Sequence, residues 1–126
     1  MTRILIVEKS PFVATDIHET VETEFPGLDA VTVGSIEAAE EVLSKPDHIE
    51  LCIVSGTTTR ERMMRLARAL DERGVGSVTI SDEEVESSIF PQPSVHITRP
   101  FTSDMLIAAL RQVSSDDRMR GRRSIR

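Results

Sequence analysis

The sequence predicts a single doubly wound α/β domain built on a parallel five-stranded sheet. Three observations carry that prediction. Short, nearly continuous apolar runs alternate five times with segments of helical periodicity, as expected of strands covered on both faces. The connections between them are short, which suits β–α units joined by right-handed crossovers. The chain has 126 residues, 39% apolar and 29% charged, enough for one core and too apolar for wholesale disorder.

The first apolar run, RILIVE (3–8), reads as a buried strand. Ser10 and Pro11 follow as N-cap and first helical residue, and Ala14, Ile17, Val21 and Phe25 recur at helical spacing until Pro26-Gly27. LDAVTV (28–33) is the second strand. Gly34-Ser35 opens a helix that turns Ile36, Ala39, Val42 and Leu43 inward and ends before Pro46. ELCIV (50–54) is the third and most apolar strand. From about Thr58 a helix carries Met63, Leu66, Ala67 and Leu70 at i, i+3, i+4 and i+7, and Gly74 caps its C-terminus. SVTI (77–80) is the fourth strand, and a short acidic helix is expected around 82–89. SVHIT (94–98) is the fifth strand. Thr102 then caps a last helix with Leu106, Ala109, Leu110 and Val113 inward.

Five strands suit the flavodoxin-like order 2-1-3-4-5, one of the two common doubly wound arrangements. Ligands of such sheets sit beyond the carboxyl ends of the strands, at the switch point between the first and third. Those ends read Glu8-Lys9, Ser55, Ser81 and Arg99-Pro100-Phe101.

At these residues the chain resembles the response-regulator receiver family, over about residues 3–114. ILIVE-K-S-P is similar to the family's first strand and acidic pair. ELCIVS is similar to the central strand that ends in the phosphoaccepting Asp. SVTIS resembles the fourth strand with its terminal hydroxyl, and VHITRPF followed by TSDML resembles the last strand, the Lys-Pro dipeptide and the final helix. The resemblance implies a two-component signal-transduction module whose first acidic position is Glu8 and whose second, usually a magnesium ligand, is Lys9. It places the phosphoacceptor at Ser55, the phosphoryl-contacting hydroxyl at Ser81 and the phosphate-bridging cation at Arg99. Pro100 takes the position preceded by a cis bond, and His96 that of the rotating aromatic switch.

The departures bear on the chemistry. An Asp carboxylate is ionised at neutral pH, whereas Ser55 would need a general base, and no His aligns near it. Magnesium prefers near-octahedral oxygen ligands that include one or two carboxylates. Lys9 and Ser55 replace two of them. One added unit charge at ~4 Å and an effective dielectric near 20 changes a cation's energy by about 4 kcal/mol. That is roughly three powers of ten in affinity. The sequence therefore predicts a degenerate pseudo-receiver pocket with no resident cofactor, magnesium binding being lost or poor.

For several residues two roles stay open. Lys9 is either a built-in counter-charge, paired with Glu8, Asp82 or Glu83, or a solvated lysine. Arg99 is expected to form a structural ion pair, with anion binding beside Ser55 and Ser81 as the other role. His96 is expected to be an ordinary half-exposed strand residue, with a pH-sensitive switch as the alternative. His18 and His48 show no ligand spacing with each other or with Cys52, so no metal site is proposed. Glu61/Arg65 and Arg68/Glu72, at i and i+4, mark the third helix's outer face as solvated and salt-bridged.

Charge and composition narrow the partners. Residues 1–117 form the receiver-like domain, with 10 basic and 21 acidic groups; residues 118–126 are a tail with five arginines and no acids. An acidic body repels nucleic acid, so only the tail, by default a flexible solubilising segment, can attract it. Aromatics make up 3%, with no Trp or Tyr, which disfavours base-stacking platforms. The lone Cys52 reads as a buried, reduced hydrophobe, and neither a signal peptide nor a membrane span is present, so the expected compartment is the cytoplasm.

The function expected is that of a non-enzymatic, phosphorylation-independent module that acts by protein–protein interaction. The contact face would be the one built from the fourth and fifth strands and the helices that follow each. No output domain fits after Val113, so a protein partner or a homodimer would carry the signal. The competing classes are a phosphorelay receiver with an unconventional acceptor and a small flavodoxin-like nucleotide-binding protein. The latter is disfavoured because the chain lacks both G-x-x-x-x-G-K-[ST] and G-x-G-x-x-G.

Overall fold

The computed structural model describes residues 3–46, 48–56, 59–82, 89–91 and 93–114. Its elements run β1 (Arg3–Val7), α1 (Pro11–Glu24), β2 (Asp29–Val33), α2 (Ile36–Leu43), β3 (Ile49–Ser55), α3 (Arg60–Arg73), β4 (Gly76–Ser81), β5 (Ser94–Thr98) and α4 (Ser103–Val113). The strand pairings are parallel and the order is β2-β1-β3-β4-β5, as predicted. The expected helix around 82–89 falls mostly on residues 83–88, and the arginine tail on 118–126; both lie outside the described residues, as does Thr58.

Each helix starts on a hydroxyl N-cap. Ser10, Ser35, Thr59 and Thr102 accept hydrogen bonds from the N–H groups of Val13, Ala38, Arg62 and Met105, at 3.5, 3.1, 3.2 and 3.2 Å. Such a cap satisfies an otherwise orphaned donor and contributes about 1 kcal/mol. Gly74 ends α3 in the left-handed region, at φ 67°.

Strand alternation divides the interior into two layers. Ile4 and Ile6 of β1, Leu51 and Ile53 of β3, and Val78 and Ile80 of β4 pack with Ile17 and Val21 of α1 and Leu106 and Leu110 of α4. Leu5, Val7, Cys52 and Val54 point the other way, onto Ile36 and Ala39 of α2 and Met63, Leu66 and Leu70 of α3. A register shift between β1 and β3 places Arg3 opposite Ile49 but Ile4 opposite Leu51. The extra residue, Glu50, lets Ile49 and Leu51 enter opposite layers.

β4 and β5 break the apolar rule on one face only. Their α1/α4 side carries Val78, Ile80, Val95 and Ile97. The other side pairs Ser77 with Ser94, Thr79 with His96 and Ser81 with Thr98 in register. Burying that face requires internal partners for its hydroxyls, and the Ser77 hydroxyl donates to Ser94 Oγ at 3.2 Å.

Candidate functional site

Parallel strands deliver their C-terminal residues to one end of the sheet, and β1, β3, β4 and β5 each end there in a polar residue. Glu8 follows β1 and is buried; Ser55 closes β3 and Ser81 closes β4, both buried; Arg99 follows β5 and is half-buried. Apolar packing beneath each strand end sets these positions, so the side chains of Glu8, Ser55 and Arg99 meet although they lie up to 91 residues apart in sequence, and Ser81 joins them through its backbone carbonyl.

Arg99 is the hub of this cluster. Its Nη2 donates to Ser55 Oγ at 2.8 Å and to Glu8 Oε1 at 3.3 Å. Its Nη1 lies 3.9 Å from Asp82 Oδ1. The other carboxylate oxygen of Glu8 accepts the Ser10 N–H at 2.8 Å, which ties the site to the cap of α1. The Arg99 N–H extends the β4–β5 ladder by donating to the Ser81 carbonyl at 2.8 Å. The Arg99–Pro100 peptide bond is cis.

Lys9 stands apart from this network. Its side chain is exposed and forms no ion pair with any described residue. The counter-charge role open to it at Glu8 and Asp82 belongs to Arg99, and Glu83 lies outside the described residues. The difference is one of burial: Glu8 is buried and its oxygens accept from Ser10 and Arg99, whereas the neighbouring Lys9 is exposed to solvent. Of the two roles open to Arg99, the structure shows the ion pair.

His96 is half-buried on β5, and its Nδ1 lies 2.7 Å from the hydroxyl of buried Thr79. Strand alternation carries the signal for that pair, since both residues sit mid-strand on the same face. His18 pairs with Glu22 at 3.0 Å and His48 with Glu50 at 3.4 Å.

The salt-bridged face of α3 exists, with partners other than those expected. Arg65 reaches Glu40 and Glu37 of α2, and Arg62 reaches Glu37 at 3.1 Å. Among the described residues no ion pair joins Glu61 to Arg65 or Arg68 to Glu72. Packing of α2 against α3 brings the α2 acids within reach, and they compete successfully with partners along the same helix.

No helix among the described residues is long and apolar enough to cross a membrane.

No family model matches the chain, and neither does any curated protein. Solved structures do. A response regulator receiver protein from Sinorhizobium medicae WSM419 superposes with a TM-score of 0.71 at 22% identity, covering 97% of each chain. The N-terminal domain of a response regulator/sensory box/GGDEF three-domain protein from Carboxydothermus hydrogenoformans gives 0.71 at 19% identity over 94% of each chain. The chemotaxis protein CheY4 of Vibrio cholerae gives 0.72 at 14% identity, over 90% of this chain and 98% of that one. With the strand order and the convergence of Glu8, Ser55, Ser81 and Arg99 at one sheet end, these likenesses establish that the chain has the fold of response-regulator receiver domains.

Proposed function

We propose that this protein is a receiver-type signal-transduction module of the cytoplasm that works without phosphorylation, by binding a protein partner. One observation carries the reading: β3 ends in the neutral hydroxyl of Ser55, which already accepts a hydrogen bond from Arg99 at 2.8 Å. An acceptor needs a nucleophilic lone pair, and a hydroxyl gains enough reactivity only beside a general base. The group beside Ser55 is a guanidinium, which cannot take a proton. Glu8 is within reach of the same guanidinium, but both its oxygens are engaged, by Ser10 and by Arg99.

The donor set does not fit a magnesium ion either. Such an ion needs oxygen ligands free to point at it. Here the buried carboxylate faces a cation of the protein itself, and the following residue is Lys9. No step of the proposed function passes through a metal.

Signalling then falls to a surface. The β4–β5 side supports this, because β5 is one of the sheet's two edge strands and Ser94, Val95 and His96 on it are only half-buried. Intact-mass measurement after incubation with a small acyl-phosphate donor and Mg²⁺ tests the reading. The expected result is an unmodified chain. A stable adduct of one phosphoryl group would overturn it in favour of a working phosphorelay receiver.

A further inference from the structure

The disagreement between this pocket and a divalent cation has a structural cause. The Glu8 side chain is 5% exposed, and a carboxylate so far from water is strongly disfavoured unless a cation and hydrogen-bond donors meet it. The Ser10 N–H supplies one donor, and Lys9 supplies nothing. We infer that the Arg99 guanidinium is a permanent internal occupant of the pocket, taking the counter-charge role toward Glu8 that a divalent cation would otherwise fill and holding the β4–β5 edge in one arrangement. The inference rests on the phosphorylation-independent reading and names how that site is regulated: by a fixed internal ligand rather than a transient one.

Three features support it. The first is charge: Arg99 contacts Glu8 directly, so the pocket's one buried carboxylate is matched by a cation of the protein, while the exposed Asp82 lies 3.9 Å from the same guanidinium. An incoming divalent ion would have to displace a guanidinium from a buried carboxylate. The second is shape. A planar fork presents donors along several fixed directions, and here Nη2 serves the ends of β1 and β3 while Nη1 faces the residue after β4. The third is anchorage at both ends of one residue. The Arg99 backbone is held in the ladder by the Ser81 carbonyl at 2.8 Å, and its side chain is held in the pocket. Any displacement of the end of β5 therefore breaks contacts to three other strand ends together. The Thr79–His96 pair lies on the same two strands and moves with them.

Amide spectra of the full-length ¹⁵N-labelled chain, with and without Mn²⁺, test this. In the wild type, Mn²⁺ should leave the signals of residues 8–10 and 55–56 sharp. In Arg99→Gln it should broaden them selectively, and the signals of Thr79, Ser81, His96 and Thr98 should shift while those of β2 stay in place. Equal broadening in both proteins, or unmoved β4–β5 signals in Arg99→Gln, overturns the inference. Should the single variant not fold, Glu8→Gln/Arg99→Gln leaves no buried charge unpaired and carries the same β4–β5 readout, a shift supporting the inference and its absence overturning it. The two readings fail separately. A phosphoryl adduct on the wild type refutes the functional proposal, whereas unmoved β4–β5 signals without an adduct refute the internal ligand alone.

Discussion

Cys52 illustrates how completely a side chain's chemistry depends on its place. It lies at the centre of β3, fully buried among Leu5, Val54 and the inner residues of α2 and α3, and desolvation pushes its thiol from 9.0 up to about 12. A thiolate is the reactive form, so the native thiol should be inert. A soluble thiol-labelling reagent at neutral pH should modify Cys52 only as fast as the protein opens, and labelling much faster than unfolding would contradict the burial. The same shift links stability to pH. The folded chain keeps the thiol proton while the unfolded chain loses it above 9.0, so the unfolded state binds fewer protons in that window. The stabilisation is whole below pH 9 and falls away as pH climbs toward 12. Urea unfolding on either side of pH 9 should show this slope in the wild type and a shallower one in Cys52→Ala. At the same scale, the sequence located Glu8, Ser55, Ser81 and Arg99 at one sheet end, because each terminates an apolar strand. It left open which cation meets Glu8. Lys9 is adjacent in the chain but exposed, and the half-buried Arg99, brought over by β5, meets the buried carboxylate.

Among the elements, caps and strand periodicity were the legible part. Of the four described helix starts, Ser10 and Thr102 cap as the sequence predicts and Ser35 caps the helix it is expected to open, while α3 is capped by Thr59 rather than begun at about Thr58. The ion pairs between α2 and α3 were not legible, since Glu37 and Glu40 lie some 25 residues from the arginines they meet and only tertiary packing joins them. Two glycines on either side of Val75 serve different ends. Gly74 has φ 67° with open space around a would-be Cβ, so its constraint is conformational. Gly76 has an ordinary φ, but a Cβ there would lie 3.2 Å from the Val113 carbonyl oxygen and 3.3 Å from side-chain atoms of Leu51 and Pro93. Gly74→Ala should cost about 1 kcal/mol, and Gly74→Asn should recover part of it, because Asn tolerates the left-handed region. Gly76→Ala and Gly76→Asn should both destabilise, by about 1–3 kcal/mol for the alanine, because the end of α4 must give way. Denaturant unfolding of the four variants decides between the two causes. Recovery by Asn at position 76 would show that the constraint there is conformational and not crowding.

The whole molecule is one sheet with two interiors, and that arrangement makes a prediction about cooperativity. Leu66 of α3 and Leu110 of α4 are both fully buried, in layers on opposite faces of the sheet. Truncating either to alanine removes apolar contacts and leaves a cavity, at a cost of about 2–5 kcal/mol. The strands between the layers are shared, since β1 and β3 send alternate residues into each, so neither layer can dissolve while the other keeps its floor. Unfolding of Leu66→Ala and of Leu110→Ala should therefore each remain a single transition seen alike by every probe. The two side chains share no partner across the sheet, so the double variant should lose the sum of the single losses to within about 0.5 kcal/mol. If the Leu66→Ala protein instead melted its α2–α3 layer first while amides of α1 and α4 stayed protected, the sheet would be acting as a partition between two folding units. A partner on the β4–β5 side would then meet a surface whose order depended on one layer alone. A single transition means that the strand ends carrying Glu8, Ser55 and Arg99 are lost together with both layers.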